Sequence, residues 1–92
     1  MELNALEAVV IERSGADPDA SYTARLLADS VLIRRKIMEE AFEVTLELEA
    51  AEPDKARVAE EAADLLYHLT VGLVSAGVSI GDVLDELAAR RR

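Results

Sequence analysis

Cysteine is absent from the 92-residue chain, so disulfides and thiolate zinc sites are both excluded. A chain without Cys fits a reducing cytoplasm, and a cytoplasmic location is expected. Tryptophan is also absent, and one Phe and two Tyr are all the aromatics there are. Base-stacking platforms for single-stranded nucleic acid are therefore not expected. The start, Met1-Glu2-Leu3-Asn4, lacks the basic residues and apolar run of a signal peptide. No apolar stretch approaches the ~20 residues that a membrane helix needs. Basic residues are few, ten against nineteen acidic ones, for a net charge of −9. Such a surface repels both nucleic acid phosphates and anionic membranes. What remains is one small domain, residues 1–92, with 51% hydrophobic residues and a core that is marginal at this size. With disulfides excluded, self-association is the favoured supplement.

The apolar residues recur at helical spacing, and no alternating β-branched run is long enough for a strand. The expectation is an all-α bundle of about five helices. Helix 1 is expected over Leu3–Arg13, ended by Gly15 with Pro18 shortly after. Ser21 caps a short helix from Tyr22 to about Asp29. A long helix follows from about Val31 to Ala51, and Glu52-Pro53-Asp54 breaks it. Asp54 caps a second long helix, about Lys55 to Ala76, that stops at Gly77. Ser79 and Asp82 form a capping-box pattern for the last helix. Arg90-Arg91-Arg92 sits at its C-terminal end, where cations complement the helix dipole. The short connection makes the two long helices antiparallel neighbours.

Both long helices carry acid between apolar faces. At about 100° per residue, Ile33, Ile37, Ala41, Val44 and Leu48 form one face of the first, and Leu32, Phe42 and Leu46 a second. Lys36, Glu40, Glu43 and Glu47 run between them, with Glu39 at the edge. On the other helix the main face is Val58, Ala62, Leu65, Leu66, Leu69, Leu73 and Ala76, and the second is Tyr67, Val71 and Val74. Arg57, Glu61, Asp64 and His68 lie between, while Glu60 faces the second apolar side. Two apolar faces imply two packing partners, the rest of the protomer and another protomer. Carboxylates ~5 Å apart repel by roughly 3 kcal/mol at an effective dielectric near 20. Several such pairs would consume much of a domain stability of typically ~5–15 kcal/mol. A divalent cation converts the repulsion into ligation. Carboxylates without Cys or a His pair favour magnesium, or manganese, over zinc. Magnesium fills its remaining positions with water and substrate phosphates. No EF-hand loop is present, and neither acid cluster supplies the Glu-x-x-His motif of di-iron bundles.

Glu39-Glu40-x-x-Glu43 followed by Glu61-x-x-Asp64 resembles the signature of the all-α nucleoside triphosphate pyrophosphatases, the MazG-like superfamily. Within it, Ser21-Tyr22-Thr23-Ala24-Arg25-Leu26 together with Glu61-Ala62-Ala63-Asp64-Leu65-Leu66-Tyr67-His68 resembles the phosphoribosyl-ATP pyrophosphatase family. The resemblance spans nearly the whole chain. Met38 stands where that family often has Gly, and the stretch after Ser30 is about one residue shorter. The resemblance implies hydrolysis of 1-(5-phosphoribosyl)-ATP to 1-(5-phosphoribosyl)-AMP and pyrophosphate, in histidine biosynthesis. It implies magnesium held by Glu40, Glu43, Glu61 and Asp64, with Glu39 activating water or supporting the ligands. Lys36 contacts a phosphate or pairs with an acid one turn away. Arg25 reaches a phosphate; Ser21, Tyr22 and Thr23 shape the pocket, with Ser21 equally a cap. His68 touches the substrate or hydrogen-bonds a ligand. A homodimer is implied, with a tetramer as the larger alternative, and the cyclohydrolase that acts next is expected on another chain. Two other functions fit parts of the pattern: a house-cleaning nucleoside triphosphate pyrophosphatase, and a non-catalytic helical dimerisation module indifferent to magnesium.

Overall fold

The computed structural model describes residues 1–91. It contains α1 (Leu3–Arg13), α2 (Tyr22–Leu27), α3 (Ser30–Glu49), α4 (Lys55–Ser75) and α5 (Ile80–Arg90), and no strand among the described residues. Arg92, the last residue of the expected basic run, lies outside the described residues.

Local chemistry sets most boundaries. The Ser21 hydroxyl accepts the Ala24 N–H, and Asp54 accepts those of Ala56 and Arg57. Ser79 and Asp82 close a reciprocal capping box. At the end of α4, Gly77 adopts φ 74°, a left-handed value that disfavours a side chain. It lets Gly77 N–H reach Val74 O and Val78 N–H reach Leu73 O, the paired bonds of a Schellman stop.

Two terminations differ from the sequence expectation. α2 stops at Leu27 rather than near Asp29, because Asp29 caps α3 by accepting the Leu32 N–H at 3.1 Å. Gly15 does not adopt positive φ; the Ser14 hydroxyl instead bonds back to Ile11 O at 2.6 Å and closes α1.

α3 and α4 form the dominant helix pair. Glu47 meets Arg57, Glu40 meets His68, and Ile37 and Ile33 lie against Gly72. Residue numbers rise along one helix as they fall along the other, so the pair is antiparallel. α1 and α2 cover one side of it. The core is Val10, Leu26, Ile33 and Val71, with Leu27, Leu32, Ile37, Tyr67 and Val74 packed around it.

That arrangement reverses the expected ranking of the α4 faces. Val71 is fully buried, whereas Leu66 and Leu69 are 45% and 41% exposed. Periodicity finds two apolar faces but does not say which one α1 and α2 will choose. Leu32, expected beside Phe42 and Leu46, packs against the core instead, and Leu48 is exposed. Met38, Phe42, Leu46, Leu66 and Leu69 are thus left uncovered by their own chain.

Candidate functional site

Along the α3–α4 seam the acids come together. One carboxylate oxygen from each of Glu40, Glu43 and Glu61 lies within 4.8 Å of the others. Glu40 and Glu43 are three residues apart on α3, and Glu61 faces them because the antiparallel register puts it opposite. The side chains of Glu40 and Glu61 are only 12% and 18% exposed. In each, Oε2 is buried and has no hydrogen-bond partner. Buried polar atoms are nearly always paired, so two orphaned oxygens in one cluster fit the binding of a cation between them. The donor set is all oxygen and carries three formal charges, which suits a hard divalent cation.

The electrostatics agree. Burial raises the Glu40 pKa, reinforced by the charges of Asp64 and Glu43. A carboxyl–carboxyl hydrogen bond with Glu43 raises the Glu61 pKa first, followed by burial. Such a bond requires a shared proton, the alternative to a cation in the same space. Asp64, one turn beyond Glu61, is exposed and outside the close trio, yet its charge acts on both Glu40 and Glu61.

Other expected site residues take more varied positions. Glu39 is not turned to the trio: its carboxylate lies 3.5 Å from Arg35 Nε and 3.7 Å from Lys36 Nζ on the exposed side. Lys36 therefore pairs with Glu39 rather than with Glu40, one turn away. Arg57 reaches Glu61 at 3.9 Å and, more closely, Glu47 at 3.1 Å, closing the far end of the acid strip.

His68 is buried and doubly held. Its Nδ1 lies 2.9 Å from the Asp64 carbonyl oxygen, so Nδ1–H donates there. Nε2 then accepts from the Tyr22 hydroxyl at 2.9 Å. Burial raises the Tyr22 pKa, which keeps that hydroxyl a donor. His68 Nδ1 also stands 3.8 Å from Glu40 Oε1. The Tyr22 and Tyr67 rings stack at 6.3 Å, and both meet the imidazole edge-on. Thr23, buried, shares a 2.5 Å hydrogen bond with the Tyr67 hydroxyl. Arg25 places its guanidinium 6.0 Å from the Tyr22 ring centre. Sequence reasoning counted Tyr67 as apolar surface and so missed its polar end. Tyr buries its ring while its hydroxyl seeks a partner, and Thr23 is 44 residues away.

The family described as phosphoribosyl-ATP pyrophosphohydrolase matches residues 3–91. A Caulobacter protein named phosphoribosyl-ATP pyrophosphatase is 46% identical over 88 residues, covering 96% of this chain and 80% of its own. One of the same name from Dinoroseobacter shibae is 46% identical over 86 residues, 92% of this chain and 82% of its own. A longer protein of Photobacterium profundum, named histidine biosynthesis bifunctional protein HisIE, is 46% identical over 89 residues, 96% of this chain but 42% of its own. An all-α bundle with facing acids and these relatives defines a pyrophosphohydrolase. The chain belongs to the phosphoribosyl-ATP pyrophosphohydrolase family.

Proposed function

We propose that this protein hydrolyses 1-(5-phosphoribosyl)-ATP to 1-(5-phosphoribosyl)-AMP and pyrophosphate, the second step of histidine biosynthesis, with magnesium at the α3–α4 acid cluster. The observation that carries the metal reading is the pair of buried, partnerless oxygens on Glu40 and Glu61, within a trio completed by Glu43. Family membership carries the choice of substrate. Glu40, Glu43, Glu61 and Asp64 hold the ion; manganese suits the same oxygens. When bound, the ion neutralises the triphosphate and polarises the scissile phosphorus.

The chain's own residues do the rest. Water adds across the α–β anhydride, its proton passes to a carboxylate of the cluster, and the bridging oxygen leaves with pyrophosphate. Glu39 is the candidate to activate that water or to support the ligands, and its ion pairs with Arg35 and Lys36 must open for it to do so. Lys36, beside the cluster, meets a phosphate oxygen. Tyr22, held by His68, forms the wall between the cluster and the α2 end of the chain, with Arg25 against its ring. Ser21 serves as the α2 cap, and Thr23 fixes Tyr67.

A second copy of the chain covers Met38, Phe42, Leu46, Leu66 and Leu69, giving a homodimer; a tetramer would require a further apolar face. No single helix among the described residues is long and apolar enough to cross a membrane; the cytoplasm is the compartment proposed for the reaction.

The competing reading, a house-cleaning enzyme for free nucleotides, shares the acid cluster. Turnover of phosphoribosyl-ATP compared with dUTP and dCTP separates the two. Preference for phosphoribosyl-ATP is expected, and faster hydrolysis of the free nucleotides would overturn the assignment.

A further inference from the structure

Arg13 ends α1, and its last-turn position suits the helix dipole, a role any cation fills. Its surroundings are more particular. Together with Ser21, Tyr22, Thr23 and Tyr67 it lines a cleft of about 610 Å³ between the α1–α2 connection and α4. That volume falls in the range of small-molecule sites, roughly 300–1,000 Å³. Among the described residues Arg13 has no ion-pair partner, although acids outnumber bases nineteen to ten in the chain. The cleft therefore offers a free guanidinium beside hydroxyl groups, and none of its lining side chains is a carboxylate. It is also linked to the acid cluster through Tyr22 and His68 in series. Tyr22 lines the cleft, its hydroxyl meets His68 at 2.9 Å, and His68 stands 3.8 Å from Glu40.

The substrate proposed above is anionic at two ends. Its triphosphate goes to the cation held by the carboxylates. Its ribosyl 5-phosphate is a separate dianion, and the carboxylates would repel it. We infer that the Arg13 cleft is the subsite for the ribose 5-phosphate arm, with Arg13 as its phosphate contact and the Ser21 and Thr23 region beside the sugar. Arg suits a phosphate because its planar fork donates two parallel hydrogen bonds. Tyr22 then divides one ligand between two sites of opposite charge. A free nucleoside triphosphate has nothing to place in the cleft, so the cleft is where phosphoribosyl-ATP is distinguished from ATP.

This inference rests on the proposed reaction, and its test keeps the two apart. Arg13→Gln and Arg13→Lys are compared with the wild type in steady-state kinetics on phosphoribosyl-ATP with magnesium. Each is also titrated with ribose 5-phosphate while backbone amide resonances are followed by NMR. Arg13→Gln is expected to raise KM about tenfold or more, the scale of one lost charge-assisted hydrogen bond, with kcat changed less than about threefold. Arg13→Lys keeps the charge without the fork and falls between. In the wild type, ribose 5-phosphate should shift the amides of Ser21, Tyr22, Thr23 and Tyr67, and Arg13→Gln should abolish the shifts. An unchanged KM in Arg13→Gln, or shifts that persist in it or fall outside the cleft, overturns the inference while leaving the reaction standing. Ribose 5-phosphate binding at the cleft in a wild type that does not turn over phosphoribosyl-ATP overturns the reaction instead.

Discussion

Glu40 and Glu61 sit where carboxylates are least comfortable, and that makes their behaviour testable one residue at a time. Glu43→Gln and Asp64→Asn each remove a charge from an exposed position proposed to hold the ion, so both variants should fold as the wild type does by circular dichroism. Both should lose about a hundredfold or more of their turnover, in line with the loss of electrostatic stabilisation at a reacting centre. Near-wild-type activity in either would remove that residue from the site. Glu40 provides a pH signature. Burial raises its folded-state pKa above the ordinary glutamate value of 4.5. The folded protein then binds the proton more tightly than the unfolded chain. The resulting stability is fully present below the unfolded pKa and is lost as pH rises through the folded one. In EDTA, the melting temperature should therefore decline over that window, and Glu40→Gln should flatten the decline. An identical pH slope in wild type and Glu40→Gln would contradict the burial argument. That Glu40, Glu43 and Glu61 meet was legible in the sequence, because helical spacing puts the acids on one strip of each long helix and the short connection makes the strips face each other. The outward turn of Glu39 was not, since Arg35 and Lys36 compete for it through side-chain rotamers that spacing does not determine.

Among the helices, α3 and α4 pack tightly together at Gly72. A Cβ placed there would lie 3.1 Å from Ile37 Cδ1 and 3.3 Å from Ile33 Cγ2. Those isoleucines lie one and two turns before Glu40, so the gap at Gly72 sets how near the two acid strips approach. Gly72→Leu should overpack the seam and destabilise by about 1–3 kcal/mol. Thermal unfolding reads this directly, and an unchanged melting temperature would show that the seam accommodates the side chain. α5 depends on a different contact. Glu7 of α1 accepts the Ile80 N–H at 2.6 Å, satisfying a free donor at the start of α5. Glu7→Ala should destabilise by about 1–3 kcal/mol, the range for leaving such a group unpaired. The caps at Ser21, Asp54 and Ser79 could be read from the sequence, because each acts within three residues. The Glu7 contact could not, because 73 residues separate its partners. The end of α2 differs from the sequence expectation for a related reason: Asp29 continues one helical pattern and caps the next, and hydrogen bonding favours the cap.

At the scale of the whole molecule, α3 and α4 are the spine, α1 and α2 cover one flank, and the opposite flank exposes Met38 and Phe42 at 62% and 63%. A patch of this kind on a chain of 10.0 kDa is expected to be covered by a second copy. Sedimentation equilibrium should give twice the chain mass, and Phe42→Asp should shift the population toward monomer. A wild-type monomer at micromolar concentration would contradict the dimer. The two-faced helices already pointed to self-association, but which face remained free depended on where α1 and α2 docked, a tertiary choice. Fold and chemistry meet in the proposed reaction, in which facing acids on two antiparallel helices would hold a divalent cation for cleavage of the α–β anhydride of phosphoribosyl-ATP. Its most direct test is pyrophosphate release from phosphoribosyl-ATP, followed while magnesium is titrated into metal-stripped wild type and Glu43→Gln. Release that rises with magnesium in the wild type and is absent from a folded Glu43→Gln is the predicted result; release without any divalent cation, or equal release by both proteins, would contradict it.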